Sequence, residues 1–151
     1  MFKKDDRYTQ GIYKPINSKK YKGNGYPIYR SGYELKFFKW CDSNARVLEW
    51  GSENYIIPYL NPLDNKYHRY FIDNYVKIKL DNDKIEKYLI EIKPFKQTLK
   101  PEKKGNKKQT TFIYEAKTFI QNKAKWDAAK KYCDSKGFKF LIITEKELNI
   151  N

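Results

Sequence analysis

The chain has 151 residues, and its 32 Lys and Arg against 18 Asp and Glu give a formal charge of +14. That length suits one domain with one sizeable core, and so large a basic excess points to a polyanionic partner: DNA, RNA or an anionic surface. No apolar run reaches the ~18 residues of a membrane span, which sets membrane-embedded functions aside.

The N-terminus, MFKKDDRYTQ, lacks the hydrophobic stretch of a signal peptide, so synthesis in the cytoplasm is expected. Residues 1–27 show no period and read as a basic extended arm. In it Lys3, Lys4, Arg7, Lys14, Lys19, Lys20 and Lys22 interleave with Tyr8, Tyr13, Tyr21 and Tyr26. Two readings are open: contact with nucleic acid through phosphates and base stacking, or a solubilising tail whose tyrosines dock on the core. Residues 28–151 form the predicted domain, without internal repeats.

Ser31 to Asp42 reads as a helix, with Ser31 as N-cap and Glu34 three residues on as its capping-box partner. Glu34, Phe37, Phe38 and Cys41 share one stripe, so Glu34 points inward with the apolar residues. It caps its own helix or projects toward acids of a sheet. Val47–Trp50 and Tyr55–Tyr59 are short strands, Pro58 marks an edge, and 61–65 is a turn. Glu49, Glu53 and Asp64 read as surface charges. Cys41 and Cys133 have no metal-ligand spacing and read as buried, reduced thiols.

Tyr67 to Pro94 is the most informative stretch. It reads as two strands joined at Asp81-Asn82-Asp83, the first running through Tyr70, Ile72, Tyr75, Val76, Ile78 and Leu80. Folding it about Asn82 sets Asp73 opposite Glu91 and puts Lys93 on the Glu91 face, with Ile90 and Ile92 on the other. Facing carboxylates destabilise a sheet. A divalent cation offsets that, and hard oxygen ligands suit Mg²⁺ or Mn²⁺. Such a pair with a nearby lysine fits phosphodiester hydrolysis. The plainer reading is a solvated Glu-x-Lys pair that keeps a sheet edge soluble. His68 lies close to Asp73 in sequence and is read either as a phosphate contact or as a structural hydrogen bonder.

A loop at 94–110 carries Lys96, Lys100, Lys103, Lys104, Lys107 and Lys108. It is either a DNA clamp or a Lys-rich insertion. Thr111 to about Ser135 is a long helix, its apolar side supplied by Ala116, Phe119, Ile120, Ala124, Ala128, Ala129, Tyr132 and Cys133, and Gly137 ends it. Phe138–Ile143 reads as a buried strand and Glu145–Leu148 as the start of a short helix.

With these residues placed, the chain resembles the PD-(D/E)xK, restriction-endonuclease-like nucleases. The resemblance implies an α/β fold with a mixed central sheet flanked by helices, in the order α-β-β-β-α-β. Asp73, Glu91 and Lys93 match the motif's two acids and lysine, Glu34 matches its helix acid, and Ile72 stands where the motif has proline. The segments PIYRSGYELKFFKWCDSNARVLEWGSE, HRYFIDNYV, KYLIEIKP and NKAKWDAAKKYCDSKGFKFLIITEKEL are similar to the head completion nucleases of T-even-type tailed phages. More loosely, they are similar to the N-terminal domain of the Tn7-type transposon end-cleaving nuclease. This likeness implies a metal-dependent DNA endonuclease of virion assembly that acts where a filled head is finished and joined to a tail. It implies Mg²⁺ or Mn²⁺ held by Asp73, Glu91 and the Ile92 carbonyl, with no other small-molecule cofactor. Partners would be DNA and phage head or neck proteins, in the host cytoplasm during assembly or in the virion neck. The alternative is a DNA-binding structural neck or head-closure protein whose nuclease fold is idle.

Overall fold

The computed structural model describes residues 10–149. Lys3, Lys4, Arg7 and Tyr8 of the arm lie outside them. The elements in chain order are β1 (Gly11–Ile12), β2 (Ile28–Tyr29), α1 (Gly32–Ser43), β3 (Val47–Ser52), β4 (Ile56–Asn61), β5 (Lys66–Phe71), β6 (Asn74–Lys79), β7 (Ile85–Ile92), α2 (Gln109–Lys136) and β8 (Lys139–Ile143). Four strands form the central sheet in the order β3-β6-β7-β8, antiparallel except for the parallel β7–β8 pair. A long crossover is what a parallel neighbour requires, and α2 supplies it. β4 and β5 form a separate two-stranded hairpin. The mixed sheet between helices is the α/β, restriction-endonuclease-like arrangement expected.

Alternation along β7 divides the core in two. Ile90 and Ile92 face α1 and pack with Phe37, Phe38, Cys41, Val47, Trp50 and Val76. Leu89 faces the other way and packs with Ile57, Tyr70, Ile72, Trp126, Ala129 and Cys133. Phe38 and Trp50 are at most 1% exposed, and burial of a large apolar side chain is worth about 1.5–3 kcal/mol. Both cysteines are buried free thiols. On the α1 face, Phe37, Trp40, Ile78, Leu141 and Leu148 line an apolar groove of about 410 Å³.

Several expectations are corrected. The predicted strand from Tyr70 to Leu80 is two strands, because β5 pairs with β4 while β6 pairs with β7. α2 starts at Gln109, and its buried face is Asn122, Trp126, Ala129 and Cys133, whereas Ile120 is exposed. Packing against β4 and β8 sets that face, and alanine content does not reveal it. β8 is an edge strand, only half-buried, with Leu141 exposed. Residues 145–149 make turns and no helix, closed by Leu148 N–H to the Thr144 carbonyl. Gly137 ends α2 in the left-handed region (φ 72°), as its sequence position predicts.

The arm is knitted into the domain. Lys22 N–H donates to the Trp50 carbonyl (2.8 Å) and Trp50 N–H to the Lys20 carbonyl (3.0 Å), which covers the open edge of β3. The Tyr21 ring lies 4.8 Å from that of Trp50, and Tyr13 packs on Phe38. Gly51 is required at this seam, since a Cβ there would sit 1.9 Å from Asn54 Oδ1 and 2.7 Å from the Lys22 carbonyl. The anchor is Asp42, only 1% exposed. Its carboxylate accepts from the Tyr13 hydroxyl (2.6 Å), Ile16 N–H (2.7 Å) and Asn17 N–H (2.9 Å). Burial alone would raise this carboxyl, but those hydrogen bonds and Lys20 outweigh it and hold it below the ordinary carboxylate range.

Asp42→Ala should therefore cost about 2–4 kcal/mol, because it orphans three donors, and should expose residues 13–22 to protease. The folded pKa is depressed, so the wild-type contribution is fully present above the unfolded value of about 3.9 and is lost as pH falls through the folded one. Urea unfolding at neutral and acid pH, with limited proteolysis, checks both; an Asp42→Ala protein as stable as wild type at neutral pH refutes the anchor.

Candidate active site

Asp73 lies where two ladders part. The β3–β6 pairing ends at Ser52↔Asn74, and the β4–β5 pairing begins at Ile56↔Phe71. Between them the register slips by one residue, and Glu53 takes a positive φ of 55° to absorb it. Glu53 N–H donates to the Asp73 carbonyl (3.0 Å) and Ile72 N–H to the Tyr55 carbonyl (3.1 Å). The backbone around Asp73 is thus clamped as it crosses from hairpin to sheet. The bulge falls on the β3–β4 side, so the β6–β7 register stays regular, with Asn74 opposite Ile90. Asp73 consequently projects one step beyond the ladder, toward Glu91.

The carboxylates meet there. Asp73 Oδ2 accepts from Ile92 N–H (2.8 Å), which ties it to the end of β7. Glu91 is only 4% exposed. Its Oε2 accepts from the Tyr70 hydroxyl, and its Oε1 lies 3.6 Å from Lys93 Nζ. Burial raises the Asp73 carboxyl far above its ordinary range, and the Glu91 charge adds to that. Burial also raises Glu91, against the pull of Lys93 and the Tyr70 hydroxyl. The shared face of Asp73, Glu91 and Lys93 expected from the sequence is observed.

Glu34 arrives from the α1 side. Ser31 Oγ accepts from Glu34 N–H (3.1 Å), so the N-cap is as expected. The return half of the capping box is shifted by one residue: the Glu34 carboxylate accepts from Arg30 N–H rather than Ser31 N–H. Burial raises the Glu34 carboxyl to about 7 against that hydrogen bond, and the Asp73 and Glu53 charges push the same way. Glu53 itself pairs with Arg30 at 2.6 Å, and Glu49 accepts from Tyr75 (3.1 Å) and pairs with Lys22 (3.4 Å). The three acids read as surface charges are thus all engaged, the third being Asp64.

Asp64 holds His68, at 2.6 Å from its Nε2. The structure therefore gives His68 a carboxylate partner within its own hairpin. The loop lysines divide. Lys96, Lys100, Lys103 and Lys108 are exposed. Lys104 pairs with Glu102 at 2.7 Å, and Lys107 is pinned by Glu115 (3.1 Å) and the Glu102 carbonyl (2.7 Å). The loop is built rather than loose at its start, where a 3₁₀ turn at Phe95–Thr98 docks through Phe95 N–H on Glu145 (2.9 Å).

Sequence reasoning missed Tyr70 and Lys125. In the sequence Tyr70 reads only as a strand residue, yet it holds Glu91. Lys125 lies on α2, half-buried, and is lost among that helix's many lysines. Its ammonium sits over the rings of Tyr59 (5.8 Å) and Tyr70 (5.6 Å). Burial depresses its pKa, as does Lys93, whereas Glu91 and Asp73 oppose the shift. The usable signal was polar Gln121, Asn122 and Lys125 beside Trp126 on a helix that must bury one side.

Among the described residues, no three His, Cys, Asp or Glu side chains form a metal-ligand group. Two hard carboxylates with raised pKa values, beside the Ile92 backbone, nevertheless fit Mg²⁺. That ion is bound through one or two carboxylates plus water and substrate phosphate.

Residues 44–145 match the family described as TnsA-like endonuclease, N-terminal. The chain belongs to this family. It is also 37% identical over 142 residues to the head completion nuclease of Enterobacteria phage T4, covering 91% of this chain and 92% of that protein. The family match spans Asp73, Glu91, Lys93 and Lys125, so the convergence described above lies within the endonuclease-like region. Glu34 lies before it.

Tyr70→Phe removes the hydroxyl that favours ionised Glu91, so the Glu91 carboxyl should titrate higher than in wild type. Carboxyl-detected NMR of metal-free protein checks this; an unshifted Glu91 would mean that Tyr70 does not hold it.

Proposed function

We propose that this protein is a metal-dependent DNA endonuclease that serves phage head completion, at the step where a filled head is closed and joined to its tail. The observation that carries the reading is the meeting of Asp73, Glu91 and Lys93 at one end of the sheet. The charge of +14 supports a polyanionic substrate. The name of the phage T4 relative supports the morphogenetic role, and with it DNA and head or neck proteins as partners and the host cytoplasm or the virion neck as location.

Asp73 and Glu91 would hold Mg²⁺ or Mn²⁺, and the Ile92 carbonyl is a further ligand in this reading. When bound, the cation supplies Lewis acidity toward the phosphate and acidifies a water. Tyr70 fixes the rotamer of Glu91, and the Ile92 N–H fixes that of Asp73. Lys93 would place a positive charge beside the phosphoryl oxygens, which carry the negative charge of the transition state. Glu34, titrating at about 7, takes up a proton near neutral pH, in the range that suits a general base. Attack breaks the bond from phosphorus to the 3′ oxygen, leaving 5′-phosphate and 3′-hydroxyl ends. The exposed lysines Lys96, Lys100, Lys103 and Lys108 would bind the backbone without reading sequence.

Plasmid should be cut only with Mg²⁺ or Mn²⁺, and Asp73→Asn, Glu91→Gln and Lys93→Ala should each abolish cutting in folded protein. Glu34→Gln should keep the fold and cut far more slowly, whereas Ser31→Ala should lose about 1 kcal/mol of stability and keep its activity. Cutting in excess EDTA, or full activity of Glu91→Gln, sinks the assignment; binding without any cutting would favour the structural head-closure role.

A second measurement uses stability. The Asp73 and Glu91 carboxyls are raised on folding, so their contribution is present below the unfolded value of about 4 and is lost as pH rises through the folded values. Mg²⁺ should therefore raise Tm more at pH 8 than at pH 5, and Asp73→Asn should remove most of that difference. Equal shifts at the two pH values would place the cation elsewhere.

A further inference from the structure

The site holds one positive charge more than the proposed reaction uses. Lys93, just past the end of β7, accompanies Glu91 at 3.6 Å. Lys125 comes from the other side, across the β4–β5 hairpin. Among the described residues its ammonium makes no ion pair, whereas Lys93 pairs with Glu91. Lys125 stays in place because its ammonium lies over two rings. Tyr70 is fixed by its bond to Glu91, and Tyr59 receives a hydrogen bond from Gln121 Nε2 at 2.9 Å. Gln121 and Lys125 are one helical turn apart on α2, so the same helix holds the ring and presents the charge.

Charge balance shows what Lys125 is for. This step rests on the endonuclease reading. Asp73 and Glu91, holding a divalent cation, would have their charges neutralised together. Lys93 and Lys125 are then two half-buried ammoniums with no anion between them, which is costly without a partner. A DNA strand brings one negative charge per phosphate. We propose that Lys125 is a substrate-binding residue of the site, contacting a phosphate that flanks the scissile one, with Tyr59 and Gln121 as its positioning residues. Lys93 then serves the scissile phosphate and Lys125 its neighbour, so the strand runs across the end of the sheet toward the β4–β5 hairpin.

The test separates this from a packing role and from the endonuclease reading itself. Lys125→Met keeps an unbranched side chain of similar length without the charge, and Lys125→Arg keeps the charge. Binding of a random-sequence 20-bp duplex is measured against salt with Ca²⁺ in place of Mg²⁺. The Met variant should lower the log–log slope by about 0.9, one phosphate contact, and the Arg variant should restore it. With Mg²⁺, single-turnover cutting by the Met variant should fall at least about tenfold, the scale of a lost phosphate contact. A wild-type salt slope in the Met variant overturns the proposal even if cutting slows, because a packing role does not change counterion release. Should the Met variant fail to fold, Lys125→Gln gives the same comparison. Wild-type protein that cuts nothing with Mg²⁺ or Mn²⁺ removes the endonuclease reading, and the slope still decides whether Lys125 meets a phosphate.

Discussion

Two carboxylates held together in a partly buried site repel one another, and the structure works to keep Asp73 and Glu91 there. Each is held by a donor of its own. The Ile92 N–H binds Asp73, and the Tyr70 hydroxyl binds Glu91. The slip in register at 53–55 falls on the β3–β4 side, so the β6–β7 register stays regular and Asp73 keeps its place beside Glu91. Burial raises the proton affinity of both carboxyls, and at Asp73 the Glu91 charge adds to it.

Positive charge is supplied at three ranges. Lys93 and Lys125 act at contact range, from the sheet and from α2. The exposed lysines at 96, 100, 103 and 108 lie on the segment that leaves β7. Beyond them the net charge of +14 raises the local concentration of any polyanion. Screening removes the long-range part first as salt increases and spares the half-buried pair. Substrate capture and chemistry therefore respond differently to ionic strength.

The cores on the two faces explain why this end of the sheet is rigid enough to hold such a site. α1 packs through Phe37, Phe38 and Cys41 on one face, and α2 packs through Trp126, Ala129 and Cys133 on the other. On the first helix the Glu34 carboxyl feels the Asp73 charge, and on the second the Lys125 ammonium lies over Tyr70. The arm closes the free edge of β3, and the buried carboxylate of Asp42 fastens it. Of the two readings open for the arm, the structure shows Tyr13 and Tyr21 docked on the core.

The sequence by itself determined the elements whose cause is local. Ser31 caps α1, Gly137 ends α2, and alternation about Asn82 set Asp73 opposite Glu91 with Lys93 on the same face. The family likeness was legible too, because long ordered blocks carry it. What it could not determine was which polar side chains a buried surface would gather. Tyr70 looked like any strand tyrosine, and Lys125 like any lysine of a basic helix. The capping-box carboxylate bonded one residue earlier than its spacing implied, and the strand from Tyr70 to Leu80 proved to be two. Those outcomes depend on which ladder each strand joins and on how α2 lies across the hairpin. Such contacts join residues far apart in the chain, so local periodicity carries no record of them, and only the tertiary structure decided them.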